Sequence, residues 1–182
     1  EIGDLAQSFA AMTHKLATDR LTGLANREAT LRRIGDRIEQ HRRQSDAVPF
    51  ALLFLDLDGF KAVNDQLGHE AGDLLLAAVG QRLQELLRTE DLICRLGGDE
   101  FVLGVGGLAS PADGERIGHK VLAGFAEPFH IKGVACDIGL TLGYALAPQD
   151  DTSVAGLLDL ADAAMYAGKR AGKNCLRRAG QD

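Results

Sequence analysis

One segment sets the terms for everything packed around it. Residues 49–60 read PFALLFLDLDGF, an unbroken apolar run closed by two aspartates and a glycine. A strand on a half-exposed sheet alternates apolar and polar residues, so a run this continuous is buried on both faces and needs helices on both sides. The chain supplies them. Residues 27–44 read as a basic helix with Leu31, Ile34 and Ile38 inward, and residues 70–88 as a strong amphipathic helix with Leu74, Leu75, Ala78, Leu83, Leu86 and Leu87 on a broad face. Residues 111–126 and 154–171 give two more, the last apolar at Leu157, Leu158, Ala161, Met165 and Tyr166. Residues 92–96 and 100–105 are strand-like and meet at Gly97-Gly98, a pair suited to a tight hairpin because glycine supplies positive φ. Residues 129–132 and 135–147 add further strands. The expected fold class is α/β, a mixed and mostly antiparallel central sheet flanked by helices.

Composition narrows the function classes. The 182 residues carry a net charge of −6, with 5% aromatics and no Trp. A binder of nucleic-acid backbones needs a net basic footprint, and a single-strand binder needs stacking platforms, so both are excluded as expectations. The charge is split: residues 44–168 sum to −12 and residues 169–182 to +4. An acidic middle beside a basic tail suits a divalent cation and an anionic ligand held side by side. Three scattered cysteines (Cys94, Cys136, Cys175) without CxxC spacing read as reduced thiols in a cytosolic domain. No apolar run approaches the ~18 residues of a membrane span, so this chain reads as soluble in itself. Residues 1–18 place Ile2, Leu5, Phe9, Met12 and Leu16 at alternating spacings of three and four, a narrow heptad seam expected to pair with a twin helix, with packing on its own domain the alternative.

Two acidic pairs carry the chemistry. Asp56 and Asp58 close the buried strand, where an unpartnered carboxylate costs several kcal/mol, and Asp99 and Glu100 follow the hairpin glycines. Either pair alone is equally consistent with solvated turn acids. Together in one sheet they suit Mg²⁺ (or Mn²⁺), a hard cation that takes one or two protein carboxylates and completes its shell with phosphate oxygens.

The run Arg95-Leu96-Gly97-Gly98-Asp99-Glu100-Phe101 resembles the signature of the GGDEF family, the diguanylate cyclases. Four further segments follow the family's pattern in order: DRLTGLANR (19–27), FLDLDGFKAVND (54–65), GHEAGD (68–73) and ADAAMYAGKRAGKN (161–174). The resemblance covers roughly residues 19–176 and implies one domain over 19–178, while residues 1–18 resemble the end of a HAMP signalling helix. It implies a fold like nucleotidyl cyclases and polymerase palms, and condensation of two GTP into cyclic di-GMP and two pyrophosphates across a homodimer. Asp56, Asp99 and the backbone carbonyl of Leu57 then match the metal-binding positions. Glu100 matches a position assigned to metal binding or to deprotonating the attacking hydroxyl, an alternative the sequence leaves open.

Gly97 and Gly98 match positions of close nucleotide approach, Asn64 and Asp73 the guanine readers, and Lys61, Lys169 and Lys173 the phosphate-binding cations. Lys169 and Lys173, four residues apart, are expected on one face of the last helix. Gly168 stands where the family usually has Ala, at a cost of up to about 1 kcal/mol of helix propensity. Arg88 and Asp91 match an RxxD inhibitory site for cyclic di-GMP, with Arg116 and His119 as candidates to complete it. Asp19 and Arg27 are expected to form a salt bridge, His69 to be structural, and Met165 and Tyr166 to be core. The HAMP-like start implies a cytoplasmic domain of an inner-membrane receptor anchored through upstream segments. Two rival readings stand beside the enzyme: a catalytically silent GGDEF receptor for GTP or cyclic di-GMP, and a dimeric module whose output lies in a further C-terminal domain such as a phosphodiesterase.

Overall fold

The computed structural model describes residues 18–43 and 49–181, so the heptad segment expected at residues 1–18 lies, but for its last residue, outside the described residues. A five-stranded sheet is built around β1 (Phe50–Asp58), which lies between β3 (Glu100–Val105) and β6 (Gly139–Ala147), antiparallel to both. β2 (Leu92–Gly97) lies outside β3, and β7 (Leu176–Arg178) lies outside β6 as the sheet's one parallel partner. A separate ribbon pairs β4 (Phe129–Ile131) with β5 (Val134–Cys136). The helices are α1 (Arg27–Arg42), α2 (Phe60–Leu67), α3 (His69–Leu86), α4 (Ala112–Gly124) and α5 (Val154–Ala171). The expected mixed, mostly antiparallel α/β architecture is the one observed.

Successive side chains on a strand point to opposite faces, and β1 shows why each of its positions is apolar. Ala51, Leu53, Leu55 and Leu57 pack with Leu75, Val79 and Leu83 of α3 and Val121 of α4. Phe50, Leu52 and Phe54 pack on the other side with Ile34 and Ile38 of α1 and Leu157 and Ala161 of α5. The same period of two sends Asp56 and Asp58 to the α5 side at the strand's end. α5 itself lies unusually close: a Cβ on Gly143 of β6 would fall 2.1 Å from the Ala161 carbonyl oxygen and 2.3 Å from the Met165 nitrogen. Helix backbone therefore rests on sheet backbone. Asn26 and Ser153 start α1 and α5 by accepting from the amides of Ala29 and Gly156, each at 3.0 Å.

Several expectations are corrected. α2 had no counterpart in the sequence reading, nor had β7, and the strand expected over 135–147 breaks at Asp137 and Ile138. Tyr166 is not core: it is 59% exposed, with the Arg170 guanidinium 4.9 Å from its ring centroid, while Met165 beside it is buried. One residue step turns a helix by about 100°, enough to carry Tyr166 off the apolar stripe. Leu74 is likewise exposed on α3. Asp19 pairs with Arg95 at 3.1 Å rather than with Arg27, because the turn after residue 18 bridges the edge strand at Ala25 and Cys94. The other Asp19 oxygen accepts from the Thr22 hydroxyl at 2.7 Å.

Candidate active site

The site lies where β1 ends and β3 begins, beside the Gly97–Gly98 turn. Asp56 and Glu100 are register partners, and the Leu57 amide donates to the Asp99 carbonyl at 3.2 Å, so three acids share one end of the sheet. Asp56 is mostly buried and its Oδ1 has no hydrogen-bond partner. Burial and the neighbouring Asp99 carboxylate push its carboxyl up to about 7, against the pull of Lys169. Glu100 is also raised, by burial, by Asp162 on α5 and by Asp99, with Arg27 opposing. Gly97 and Gly98 have φ of 152° and 52°, and a Cβ on either would meet nothing within 4 Å, so a ligand can approach the turn from solvent.

α5 brings a cation to this acid cluster. The Lys169 ammonium donates to Asp58 Oδ1 at 2.5 Å and to the Leu57 carbonyl at 3.3 Å, and stands 3.7 Å from Asp56 Oδ2. Asp58 is fully committed, since it also accepts from the Thr141 hydroxyl at 2.9 Å and the Asn174 amide at 2.9 Å. It is an anchor for Lys169 and the 172–174 loop, a role the sequence reading missed. The D-x-D spacing was the available signal, because it places both acids on one face of the strand. Lys173 does not share a helix face with Lys169. α5 ends at Ala171, Gly172 takes a positive φ of 128°, and Lys173 follows exposed with φ of 65°.

Among the described residues no three His, Cys, Asp or Glu side chains converge to hold a metal ion unaided. What the site offers is the unpartnered Asp56 oxygen, the adjacent Asp99 and the Leu57 carbonyl. That set fits Mg²⁺ or Mn²⁺ only together with further oxygens, as a nucleotide's phosphates supply.

The remaining expected ligands sit on the helical pair next to β1. Lys61 is exposed in the first turn of α2, and Asn64 lies one turn further on. Asp73 is exposed in α3, preceded by Gly72, whose missing Cβ makes room for the Asn64 side chain.

Residues 16–175 match the family profile described as "Diguanylate cyclase, GGDEF domain". The chain is a GGDEF domain. It is 42% identical over 176 residues to MucR, a bifunctional diguanylate cyclase/cyclic di-GMP phosphodiesterase of Pseudomonas aeruginosa, matching 93% of this chain and 25% of that protein. It is 40% identical over 179 residues to the diguanylate cyclase TpbB of the same species, matching 96% of this chain and 40% of TpbB. The solved TpbB GGDEF domain superposes with a TM-score of 0.85 at 39% identity, covering 89% of this chain and 94% of that one. The GGDEF domain of DgcB from Caulobacter crescentus, solved in complex with c-di-GMP, gives a TM-score of 0.78 at 26% identity, covering 91% and 96%. This chain thus spans 25% and 40% of the lengths of MucR and TpbB.

In this GGDEF domain the Arg88–Asp91 pair forms a second polar region, away from the hairpin turn. The Asp91 carboxylate accepts from the Arg88 amide at 2.8 Å, and the Arg88 guanidinium donates to the Gly106 carbonyl at 3.0 Å. They line an open cleft of about 290 Å³ with Asp113, Arg116 and Lys120. Of the two candidates to complete this region, Arg116 lines the cleft, where it pairs with Asp113. His119 faces a different groove, beside Phe125 and Ile138. Among the described residues no helix is long and apolar enough to cross a membrane.

Proposed function

We propose that this GGDEF domain condenses two GTP into cyclic di-GMP and two pyrophosphates, with one GTP held by each copy of a homodimer. The observation that carries this reading is the unpartnered, mostly buried Asp56 oxygen, set beside Asp99, Glu100 and Lys169 at an open glycine turn. A carboxylate left this way has a cost that a cation–phosphate pair removes. Asp56, Asp99 and the Leu57 carbonyl would hold Mg²⁺ or Mn²⁺, which would neutralise charge on the triphosphate.

The chain's own residues do the rest. Lys169, Lys173 and Lys61 draw the phosphates in and offset the charge of the departing pyrophosphate. The 3′-hydroxyl of each GTP attacks the α-phosphorus of the other, and its proton passes to a carboxylate of the cluster. Glu100 suits that step, because its raised carboxyl is a better base than an ordinary glutamate. Asp73 accepts from the guanine N1–H and N2 amine, a donor pair adenine lacks, and Asn64 serves another atom of the base edge. Cyclic di-GMP binds back at Arg88 and Asp91, with Arg116 across the cleft, and slows turnover. The HAMP-like resemblance of residues 1–18 supports one more part of this reading, a cytoplasmic domain of a protein anchored to the inner membrane.

The test is incubation of purified dimer with GTP and Mg²⁺, with nucleotides resolved by chromatography and mass. Cyclic di-GMP is expected from the wild type and not from Asp99→Ala. Specific GTP binding without product would replace the enzyme with a silent receptor.

A further inference from the structure

Gly72 sits in the first half of α3, buried, with no positive φ to explain it. A glycine in a helix interior costs about 1 kcal/mol relative to alanine, so the position must serve another purpose. A Cβ built there would lie 1.8 Å from Asn64 Oδ1, 2.9 Å from its Cγ and 3.4 Å from its Nδ2. Contacts below 3.0 Å do not occur between real side-chain atoms of this kind, so the Asn64 amide fills the space a side chain would take. The backbone of α3 is notched at one residue, and the amide lies in the notch with Oδ1 deepest.

We propose that Gly72 is a positioning residue for base recognition: its missing Cβ seats the Asn64 amide against α3, beside Asp73, so that the two polar groups reach one base edge together. This rests on the reading of Asn64 as a guanine ligand. Asn64 belongs to α2, an eight-residue helix with no side-chain N-cap, which helix propensity alone would not hold in place. Val63 is the only fully buried residue of that helix, with Phe60 and Leu67 partly buried against the same core, and the seated amide adds a polar contact between α2 and α3. An asparagine on such a short helix otherwise loses rotamer freedom on binding the base, and seating it beforehand removes that cost. Nδ2, the shallower end of the amide, is left to donate to an acceptor on the base.

The experiment compares Gly72→Ala, Asn64→Ala and the double variant. Calorimetry measures binding of α,β-methylene GTP and α,β-methylene ATP with Mg²⁺, and steady-state assays give kcat and KM for GTP. Gly72→Ala is expected to weaken the guanine analogue about tenfold, the scale of one lost hydrogen bond, with the loss on KM rather than kcat. Asn64→Ala should weaken it similarly, and the double variant should be no worse than either single one. Binding of the adenine analogue should stay weak throughout. Unchanged guanine binding in Gly72→Ala, or additive losses in the double variant, would overturn the proposal while leaving Asn64 as a base ligand. Unchanged binding in Asn64→Ala would instead remove Asn64 from the base site and the proposal with it. If Gly72→Ala folds poorly, adding Asn64→Ala should raise its melting temperature, because the clashing amide is gone; a double variant that melts no higher refutes the notch.

Discussion

Gly168→Ala replaces a helical glycine with the residue the family usually has, and propensity alone makes it stabilising by up to about 1 kcal/mol. The structure argues the opposite. The new Cβ would fall 2.8 Å from Thr141 Cγ2 and 3.0 Å from Cys175 Sγ, with Arg177 Cγ at 3.4 Å. Relaxed carbon contacts lie near 3.5–4.0 Å, and forcing extra volume into a packed site costs about 1–3 kcal/mol. Thr141 cannot move freely, since it is wholly buried and its hydroxyl donates to Asp58 at 2.9 Å. Subtracting the propensity gain leaves a net loss of about 1 kcal/mol, or about 2–4 °C in Tm for a chain of this size. The substitution should also raise KM for GTP, because Thr141, Asp58 and Lys169 form one chain of contacts. Thr141→Ser removes Cγ2 and keeps the hydroxyl, so in that background Gly168→Ala should become neutral or stabilising. Urea and thermal melts of the four proteins decide the matter. A Gly168→Ala variant more stable than wild type, with Thr141→Ser leaving the sign unchanged, would refute the packing argument.

Further outcomes follow from the same geometry. Asp56 titrates near 7 when folded and near 4 when unfolded, so between those values the folded state holds the extra proton and stability falls as pH rises. Melts of wild type against Asp56→Asn should show that difference growing from pH 4 to pH 7, and Mn²⁺ should raise the wild-type Tm more at pH 8 than at pH 5.5. An equal Mn²⁺ effect at both values would remove Asp56 as a ligand. Asp58→Asn should cost about 2 kcal/mol, on the scale of a charged hydrogen bond, and raise KM for GTP as Lys169 loses its anchor. Melting and kinetics read both effects. Arg88→Ala should leave the initial rate intact and shift inhibition by added cyclic di-GMP to at least tenfold higher concentration. An unchanged inhibition curve would remove Arg88 from the regulatory site.

The elements legible in the sequence were those whose pattern repeats. The unbroken run of β1, the glycine turn between β2 and β3, and the stripes of α3 and α5 announce themselves because burial is periodic there. α2 did not, because Phe60–Leu67 is too short for a repeating stripe, with Val63 its one fully buried residue and Phe60 and Leu67 only partly buried against the core. β7 is three residues whose pairing with β6 comes from nonlocal contact, which no local window contains. At the site, the family resemblance singles out Asp56, but burial pattern alone gives Asp56 and Asp58 the same place on one face of the strand. What Asp58 does comes from the arrival of Lys169, Thr141 and Asn174 from distant segments, which commits it and leaves Asp56 with an unpartnered oxygen. The Lys169–Lys173 pair misled for a local reason: Gly172 ends the helix between them.

The two margins of the sheet limit how copies of this domain can meet. On one side the bridge from Ala25 to Cys94 covers part of β2, and Asp19 and Arg95 tie the same turn down. On the other side β7 presents only Leu176–Arg178, two of them arginines. Short, covered or charged margins discourage the zippering of one sheet onto another. Two copies are therefore steered toward meeting through side chains on helices and turns, contacts that can form and part without any strand being unpaired.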